Sequence, residues 1–171
     1  TTLMAVREEI GTTFLWGVAA MLLIKVIRKA DGWSKKDFLW AGLIVNVFFA
    51  GLHVKNALNI YQSLLDNHGV IVAIIGWVTM ILFAFVFGMY TEMVFFKTHN
   101  LFVTIICHIV ITLSRGVSIF GRLELFDVKS LVVFNLVTCV YGLVTFWIYK
   151  SNWKDTFWEK ELGLKGQTEP L

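Results

Sequence analysis

One apolar stretch carries the residues best able to do chemistry. His108 and Arg115 both lie within residues 106–122, "ICHIVITLSRGVSIFGR", which otherwise reads as a membrane span. Together with Thr104 and Thr112 they recur at steps of four, four and three residues, the spacing of one α-helical face. Ionisable residues inside a span face protein or a water-filled cavity and mark functional paths. We therefore expect Arg115, His108 and Thr112 to form a functional polar face.

Arg115 is the residue of this face that costs most to place in a membrane. Inserting a charged side chain at the centre of a span costs about 2.5–3.5 kcal/mol. One interpretation is structural: the guanidinium donates to backbone carbonyls or reaches the outer headgroups. The other is functional: the charge lines a polar path or an anion site inside the bundle. The residue pattern leaves both interpretations open.

Other polar residues also fall inside apolar segments. Asn46, His53 and Asn56 follow one another along the second predicted span, and Asn59 comes one turn later. Asparagines in spans commonly form hydrogen bonds between helices. We add His53 and Asn56 to the predicted polar face as its continuation on a second helix.

Glu92 and the two histidines inside spans each allow two interpretations. Glu92 lies in "YTEMVFF" near the end of the third span, where it is either an interfacial carboxylate near Lys97 and His99 or part of the polar face. His53 and His108 are either hydrogen-bonded neutral imidazoles or ligands of a b-type haem, which requires two histidines on facing helices.

Other chemistries find little support in the residue pattern. The four histidines have no metal-ligand spacing, and no hydrolase motif or phosphate-binding loop is present. We therefore expect no catalytic residues, no metal and no cofactor, with haem b on His53 and His108 as the alternative.

The composition predicts an integral membrane protein. Of the 171 residues 57% are hydrophobic and 16% are charged, whereas soluble domains average about 25% charged residues. Mean hydropathy is +0.73. A spanning helix needs about 20 apolar residues, and five segments approach this length. We predict an all-α, polytopic helical membrane bundle, a single domain over residues 1–171, with spans at about 11–27, 38–60, 70–91, 101–120 and 131–149 and a tail at 150–171.

The distribution of basic residues predicts the orientation. Five basic residues crowd the connection between spans one and two, and further lysines occupy the C-terminal tail. Cytoplasmic segments carry such an excess of lysine and arginine. We therefore expect the N-terminus outside and the C-terminus in the cytoplasm, with the lipid bilayer and not a nucleic acid as the partner of these charges. The five residues of the first connection are Lys25, Arg28, Lys29, Lys35 and Lys36.

Two motifs in the second half of the chain resemble a known family. "MYTEMVFF", which contains Glu92, is followed by "VITLSRGVSIF", which contains Ile111, Thr112 and Arg115, and then by the last apolar span. Over about residues 78–150 the chain resembles the phosphate-starvation-inducible PsiE-like membrane proteins. The resemblance implies a prokaryotic cytoplasmic (inner) membrane protein with no established enzymatic role, to which the first span would be an addition.

These observations lead to one functional hypothesis and two alternatives. We expect a membrane protein without enzymatic activity, acting as a homo-oligomer or as a subunit of a larger membrane complex. Its intramembrane polar face would form an ion or anion path. The first alternative is a haem b-binding redox subunit, and the second is a phage-type pore former.

Overall fold

The computed structural model describes residues 2–29, 34–114 and 128–151, and helices form nearly all of this part of the chain. No strand occurs among these residues. The elements are α1 (Thr2–Glu8), a π-helical segment π1 (Glu9–Trp16), α2 (Gly17–Arg28), α3 (Lys35–Leu52), α4 (Val54–His68), α5 (Val70–Thr98), α6 (Leu101–Ser114) and α7 (Val128–Lys150).

The first three elements follow one another without a break and form one long helix. Its part from Val6 to Arg28 is long and apolar enough to cross a membrane. Within π1 the hydrogen bonds widen, and the Gly17 N–H reaches back five residues to the Thr12 carbonyl. The predicted first span began at residue 11, whereas the helix begins nine residues earlier and so contains Glu8 and Glu9.

The predicted second span is a bent pair of helices. A capping box starts α3, because the Ser34 N–H donates to Asp37 Oδ2 over 2.7 Å and the Asp37 N–H bonds back to Ser34. Arg28 at the end of α2 forms an ion pair with Asp37 and thereby holds the two helices together. At His53 the backbone leaves α-geometry, and α4 continues at an angle of 49° to α3.

Helix α5 is the centre of the bundle. It contacts α3, α4, α6 and α7, and its buried residues contribute to two hydrophobic clusters, one with α2 and α3 and one with α4 and α7. Small residues allow the close approaches. Gly76 lies against Leu64 of α4, and Gly88 lies against Asn46 of α3. The predicted third span, 70–91, falls within α5, which continues for seven more residues.

The last two helices, α6 and α7, also pack against α5. Asn135 of α7 donates to Thr79 of α5 over 3.2 Å, a hydrogen bond between two helices. At the other end of α7 the Lys35 Nζ donates to the Ser151 carbonyl over 2.7 Å, and Lys97 Nζ donates to the Ser151 hydroxyl over 2.6 Å. The predicted fourth span, 101–120, coincides with α6 as far as residue 114, and its remainder, with Arg115, lies outside the described residues.

The surface of the bundle is that of an integral membrane protein. Large apolar side chains are exposed along every long helix, among them Val26, Phe48, Ile71 and Leu143. Three helices are long and apolar enough to span, and a fourth span results if α3 and α4 together count as one; α6 contributes a shorter apolar helix. The all-α, polytopic membrane bundle is thus confirmed, and the number of five spans stays a prediction.

The contact between α3 and α5 yields a stability prediction. A methyl group on Gly88 would overlap the Asn46 side-chain oxygen and lie 3.1 Å from a Phe49 ring carbon. Asn46 has little room to yield, because its Nδ2 donates to the Gly42 carbonyl over 2.8 Å. Overpacking a filled interior costs about 1–3 kcal/mol. We expect Gly88→Ala to lower the unfolding temperature in detergent.

Gly51→Ala is the matched control for this change. Gly51 lies near the end of α3, one of the two helices of this contact, and a methyl group there would meet no atom within 4 Å among the described residues. Alanine in place of glycine stabilises a helix interior by about 1 kcal/mol, so Gly51→Ala should leave the unfolding temperature unchanged or raise it. Equal unfolding temperatures for the two variants would contradict the close contact at Gly88.

Candidate functional site

Two adjacent glutamates and one histidine meet inside the bundle. Glu9, the first residue of π1, places Oε1 2.7 Å from His108 Nδ1 on α6. Glu8 places Oε2 3.4 Å from the other ring nitrogen, Nε2. The side chain of Glu9 is 2% exposed, that of His108 10% and that of Glu8 21%. The imidazole therefore lies between a buried carboxylate and a more accessible one.

Thr13 completes the hydrogen bonding of the buried carboxylate. It lies four residues after Glu9 on the same buried face, and its hydroxyl donates to Glu9 Oε2 over 2.7 Å. Both oxygens of Glu9 thus have donors, His108 at Oε1 and Thr13 at Oε2. A buried carboxylate is tolerated only with such partners, since an unpaired charge in a low-dielectric interior is very costly.

The bond to Glu9 determines the protonation of the imidazole. A carboxylate only accepts hydrogen bonds, so the His108 Nδ1–H donates to Glu9 and the neutral ring keeps its lone pair on Nε2. That lone pair faces Glu8, which is also an acceptor. At 3.4 Å these two atoms are close enough to share a proton, and a water molecule would bind beside the pair and not between them. The Phe87 ring packs edge-on against the imidazole at 5.1 Å and keeps this side of the ring apolar.

This arrangement is the one that general base catalysis requires. An orienting carboxylate fixes one ring nitrogen, and the other ring nitrogen is left to take a proton from a bound water or hydroxyl. Fold and site together therefore define a class: a helical membrane protein with a buried glutamate–histidine centre suited to hydrolysis.

Of the residues predicted from the sequence, His108 is the one that this centre contains. Thr104, one turn earlier on α6, is fully buried and its hydroxyl donates to the Leu101 carbonyl over 2.7 Å. Thr112 lies further along α6. Arg115 lies outside the described residues, so its role in the polar face stays a prediction.

The polar residues predicted on the second span lie elsewhere. His53, at the bend, places Nδ1 3.0 Å from the Phe49 carbonyl, so it is a hydrogen-bonded imidazole. Asn56 is half-buried on α4. Asn46 is buried, but its amide bonds the carbonyl of Gly42 in its own helix instead of another helix.

Glu92 is buried inside the bundle and is not the interfacial carboxylate that its place near the end of the third span allowed. It is 1% exposed and lies on the face of α5 that packs against the N-terminal helix, where its Oε1 lies directly over Gly17. Helix α5 continues for six residues beyond it, which places the carboxyl inside the bundle.

Sequence reasoning missed Glu8, Glu9 and Thr13. The predicted first span starts at residue 11, so both glutamates fall in the segment before it. The available signal was a pair of adjacent carboxylates followed four residues later by a buried threonine, at the start of an apolar helix. Their partner is distant in sequence, since Glu9 and His108 are 99 residues apart.

The haem alternative does not fit the described geometry. Both ring nitrogens of His108 face carboxylates, and Nδ1 of His53 faces the Phe49 carbonyl. Within residues 2–29, 34–114 and 128–151, no group of three or more His, Cys, Asp or Glu residues is arranged to hold a metal ion.

A comparison with protein-family models identifies the family of the chain. Residues 6–114 match the family of Rce1-like type II CAAX prenyl endopeptidases. This match covers more than half of the chain and contains every residue of the glutamate–histidine centre. The chain belongs to the Rce1-like family. Neither the curated proteins nor the solved structures contain a match to it.

The family corrects two predictions from the sequence. The resemblance to PsiE-like proteins is wrong, because a short apolar motif around Glu92 and Arg115 aligns easily between unrelated membrane proteins, whereas the Rce1-like match extends over residues 6–114. The expectation of a membrane protein without enzymatic activity is also wrong, because this is a family of endopeptidases. The redox-subunit and pore-former alternatives are wrong for the same reason.

The bond from Thr13 to Glu9 makes a stability prediction. Thr13→Val keeps the shape of the side chain but leaves Glu9 Oε2 without its donor, and an unsatisfied buried acceptor costs about 1–3 kcal/mol. We expect a lower unfolding temperature in detergent. Thr12→Val is the control, because the Thr12 hydroxyl donates only to the Glu8 carbonyl of its own helix, over 2.6 Å. Equal losses in both variants would mean that the Glu9 contact adds nothing beyond threonine's local bonding.

Proposed function

We propose that this protein hydrolyses a peptide bond in a membrane-bound substrate, and that the glutamate–histidine centre carries out the reaction. One observation carries the proposal: His108 is held between Glu8 and Glu9, with one ring nitrogen fixed and the other facing an accessible carboxylate. The membership of an endopeptidase family supports the reaction type.

The geometry assigns a role to each residue. A water molecule bound beside Nε2 of His108 and Oε2 of Glu8 gives a proton to this pair as its oxygen attacks the scissile carbonyl carbon. Glu9 stabilises the imidazolium that forms, because its carboxylate already accepts from Nδ1 over 2.7 Å. Thr13 holds Glu9 in place. General base catalysis of this kind contributes about 10²–10⁴-fold to a rate.

The substrate class follows from the family description. We take a prenylated peptide ending in a CAAX sequence as the substrate, since the family is that of CAAX prenyl endopeptidases. In such a sequence the prenyl group is attached to the cysteine four residues from the C-terminus. The prenyl chain would lie in the bilayer beside the apolar outer surface of the bundle, and the adjoining peptide would enter the centre from the side of Glu8.

The activity prediction uses the purified protein in lipid nanodiscs with a farnesylated CAAX peptide. We expect cleavage, detected as a shortened product by mass spectrometry. His108→Gln and Glu9→Gln should each lower the rate by about 10²-fold or more, because the first removes the base and the second removes the charge that stabilises the imidazolium.

Two matched variants control for the substitutions themselves. His68→Gln and Asp66→Asn make the same chemical changes at exposed positions near the end of α4. Both should cleave the peptide at the rate of the unchanged protein. Full activity in His108→Gln would refute the proposed centre, and an unchanged protein that leaves the peptide intact would refute the proposed substrate class.

We also propose the orientation that the basic residues favour, in a prokaryotic cytoplasmic membrane with the N-terminus outside. Lys35, Lys36 and Arg28 then lie on the cytoplasmic side, and the end of α4 lies outside. Self-association and a role in a larger complex stay predictions from the sequence.

Cysteine labelling tests this orientation and the crossing of the bent pair together. In a Cys107→Ala/Cys139→Ala background, a membrane-impermeant maleimide should label Asp66→Cys in intact cells and Lys36→Cys only after permeabilisation. The background without a new cysteine provides the blank. Labelling of both positions from one side would show that α3 and α4 together do not cross the membrane, and the opposite pattern would reverse the orientation.

A further inference from the structure

Lysines from three helices meet at the end of the bundle away from the turn between α4 and α5. Lys35 begins α3, Lys97 lies in the last turn of α5, and Lys150 ends α7. Arg28, at the end of α2, lies at the same end of the bundle, because it pairs with Asp37 in the first turn of α3. In the orientation proposed above, this is the cytoplasmic end.

Two of these lysines converge on Ser151, directly after α7. Lys35 Nζ donates to the Ser151 carbonyl over 2.7 Å, and Lys97 Nζ donates to the Ser151 hydroxyl over 2.6 Å. Lys150 precedes Ser151 in the chain, and its ammonium lies 5.8 Å from the centroid of the Phe146 ring. Both Lys97 and Lys150 are close enough to act electrostatically on Lys35. Three positive charges from three helices therefore surround one residue.

Capping of α7 explains part of this arrangement. Lysine side chains can hydrogen-bond the last carbonyls of a helix, and Lys35 does so at Ser151 and, over 3.5 Å, at Tyr149. Lys97 adds a second ammonium to the same residue, although the Ser151 hydroxyl already donates to the Ile148 carbonyl. Like charges in proximity repel each other, so an anion that binds both lysines would stabilise this end of the bundle.

The helix ends around the three lysines contain one carboxylate. Among residues 34–38, 95–98 and 147–151 it is Asp37. Asp37 accepts hydrogen bonds from Arg28 and from the Ser34 N–H, and so holds α2 against the start of α3. The anion that offsets the lysines therefore has to come from outside these helix ends.

An exposed apolar face of α7 leads to the lysines. Leu136, Val140, Leu143 and Trp147 recur at steps of four, three and four residues, and each is more than half exposed. Lys97 Nζ lies 5.7 Å from the centroid of the Trp147 ring, so this face ends beside the lysines. It is about 16 Å long at 1.5 Å per residue, and one leaflet contributes about 15 Å of hydrocarbon. The face therefore matches the acyl chains of a lipid whose headgroup lies at the lysines.

We propose that Lys35, Lys97 and Lys150 bind the phosphate of an anionic phospholipid in the cytoplasmic leaflet, with its acyl chains along this face of α7. Lysine binds phosphate as a point charge, and basic pockets between spanning helices on the cytoplasmic side bind lipid headgroups of this kind. The bound lipid joins the ends of α3, α5 and α7 and so stabilises the bundle. This site is independent of the proposed hydrolysis.

The test measures the unfolding temperature of the purified protein in detergent with three probes. They are phosphatidylglycerol, phosphatidylcholine with the same acyl chains, and inorganic phosphate. At a concentration about 100-fold above its dissociation constant, phosphatidylglycerol should raise the unfolding temperature by about 5 °C or more. The other two should leave it unchanged, because the choline group offsets the phosphate charge of one and the other has no acyl chains.

Charge-removing variants identify the residues that bind the phosphate. Lys97→Gln and Lys150→Gln should each lose more than half of the rise caused by phosphatidylglycerol, whereas Lys97→Arg keeps the charge and should retain most of it. Lys55→Gln makes the same chemical change at an exposed position on α4 and should retain the whole rise. If Lys97→Gln does not fold, Lys150→Gln decides, because Lys150 is exposed at the end of α7.

Every other outcome overturns the inference. An equal rise with phosphatidylcholine would mean that the acyl chains alone bind, and an equal rise with inorganic phosphate would mean a site for free anions. A full rise in both Lys97→Gln and Lys150→Gln would place the lipid elsewhere. An unfolding temperature that no probe changes would mean that the charges are offset within the chain.

Mass spectrometry of the intact protein, released from detergent with phosphatidylglycerol present, gives a second readout. The unchanged protein and Lys55→Gln should each retain one lipid molecule, and Lys150→Gln should retain none. Equal retention by all three proteins would contradict a site formed by these lysines.

Discussion

The burial of one carboxylate constrains the packing of this bundle. Glu9 is inaccessible within a helix that otherwise faces lipid and apolar side chains, and its charge is tolerable only while His108 and Thr13 donate to it. The imidazole comes from α6, so α6 must lie against the N-terminal helix at this one level. The two helices are therefore held in register by a polar bond, in an environment where apolar contacts alone discriminate poorly between alternative packings.

Helix α5 packs against both π1 and α6 and so supports the register between them. It contacts π1, α3, α4, α6 and α7, with glycines at the points of closest approach to α3 and α4. Phe87 contacts the imidazole from the same helix that carries Glu92 one and a half turns later. A single element thus supplies the apolar wall of the site and the buried Glu92 carboxyl, so the packing of the core and the geometry of the site cannot vary independently.

The sequence reveals the helices well and the site poorly. Apolar length alone located α7 within three residues at each end and the start of α5, although it ended α5 seven residues early, because a membrane requires uninterrupted helices of that size. The polar pattern on α6 singled out His108, which contacts both glutamates. Its partner could not be found this way, since the pairing of Glu9 with His108 depends on how helices distant in sequence pack.

Glu92 and Asn46 show the same limit. Glu92 lies near the end of an apolar run, which suggests an interfacial position, but the helix continues to Thr98 and draws the carboxyl inside. Asparagine is a residue type that commonly forms hydrogen bonds between helices. Asn46 instead donates to a carbonyl of its own helix, and its side-chain oxygen lies against Gly88. In both cases the residue type can be read from the sequence, but the residue that it contacts cannot.

The π-helical segment gives this stretch of chain a fixed length. A π-turn closes with i→i+5 hydrogen bonds and holds about one residue more than an α-turn. Removing one residue between Glu9 and Trp16 would therefore let this segment close as α-helix, whereas adding one has no such outlet and would turn Glu8 and Glu9 away from His108 by about 100°. Residue count thus matters here as well as residue identity: a one-residue insertion that leaves the apolar composition intact would amount to loss of the site.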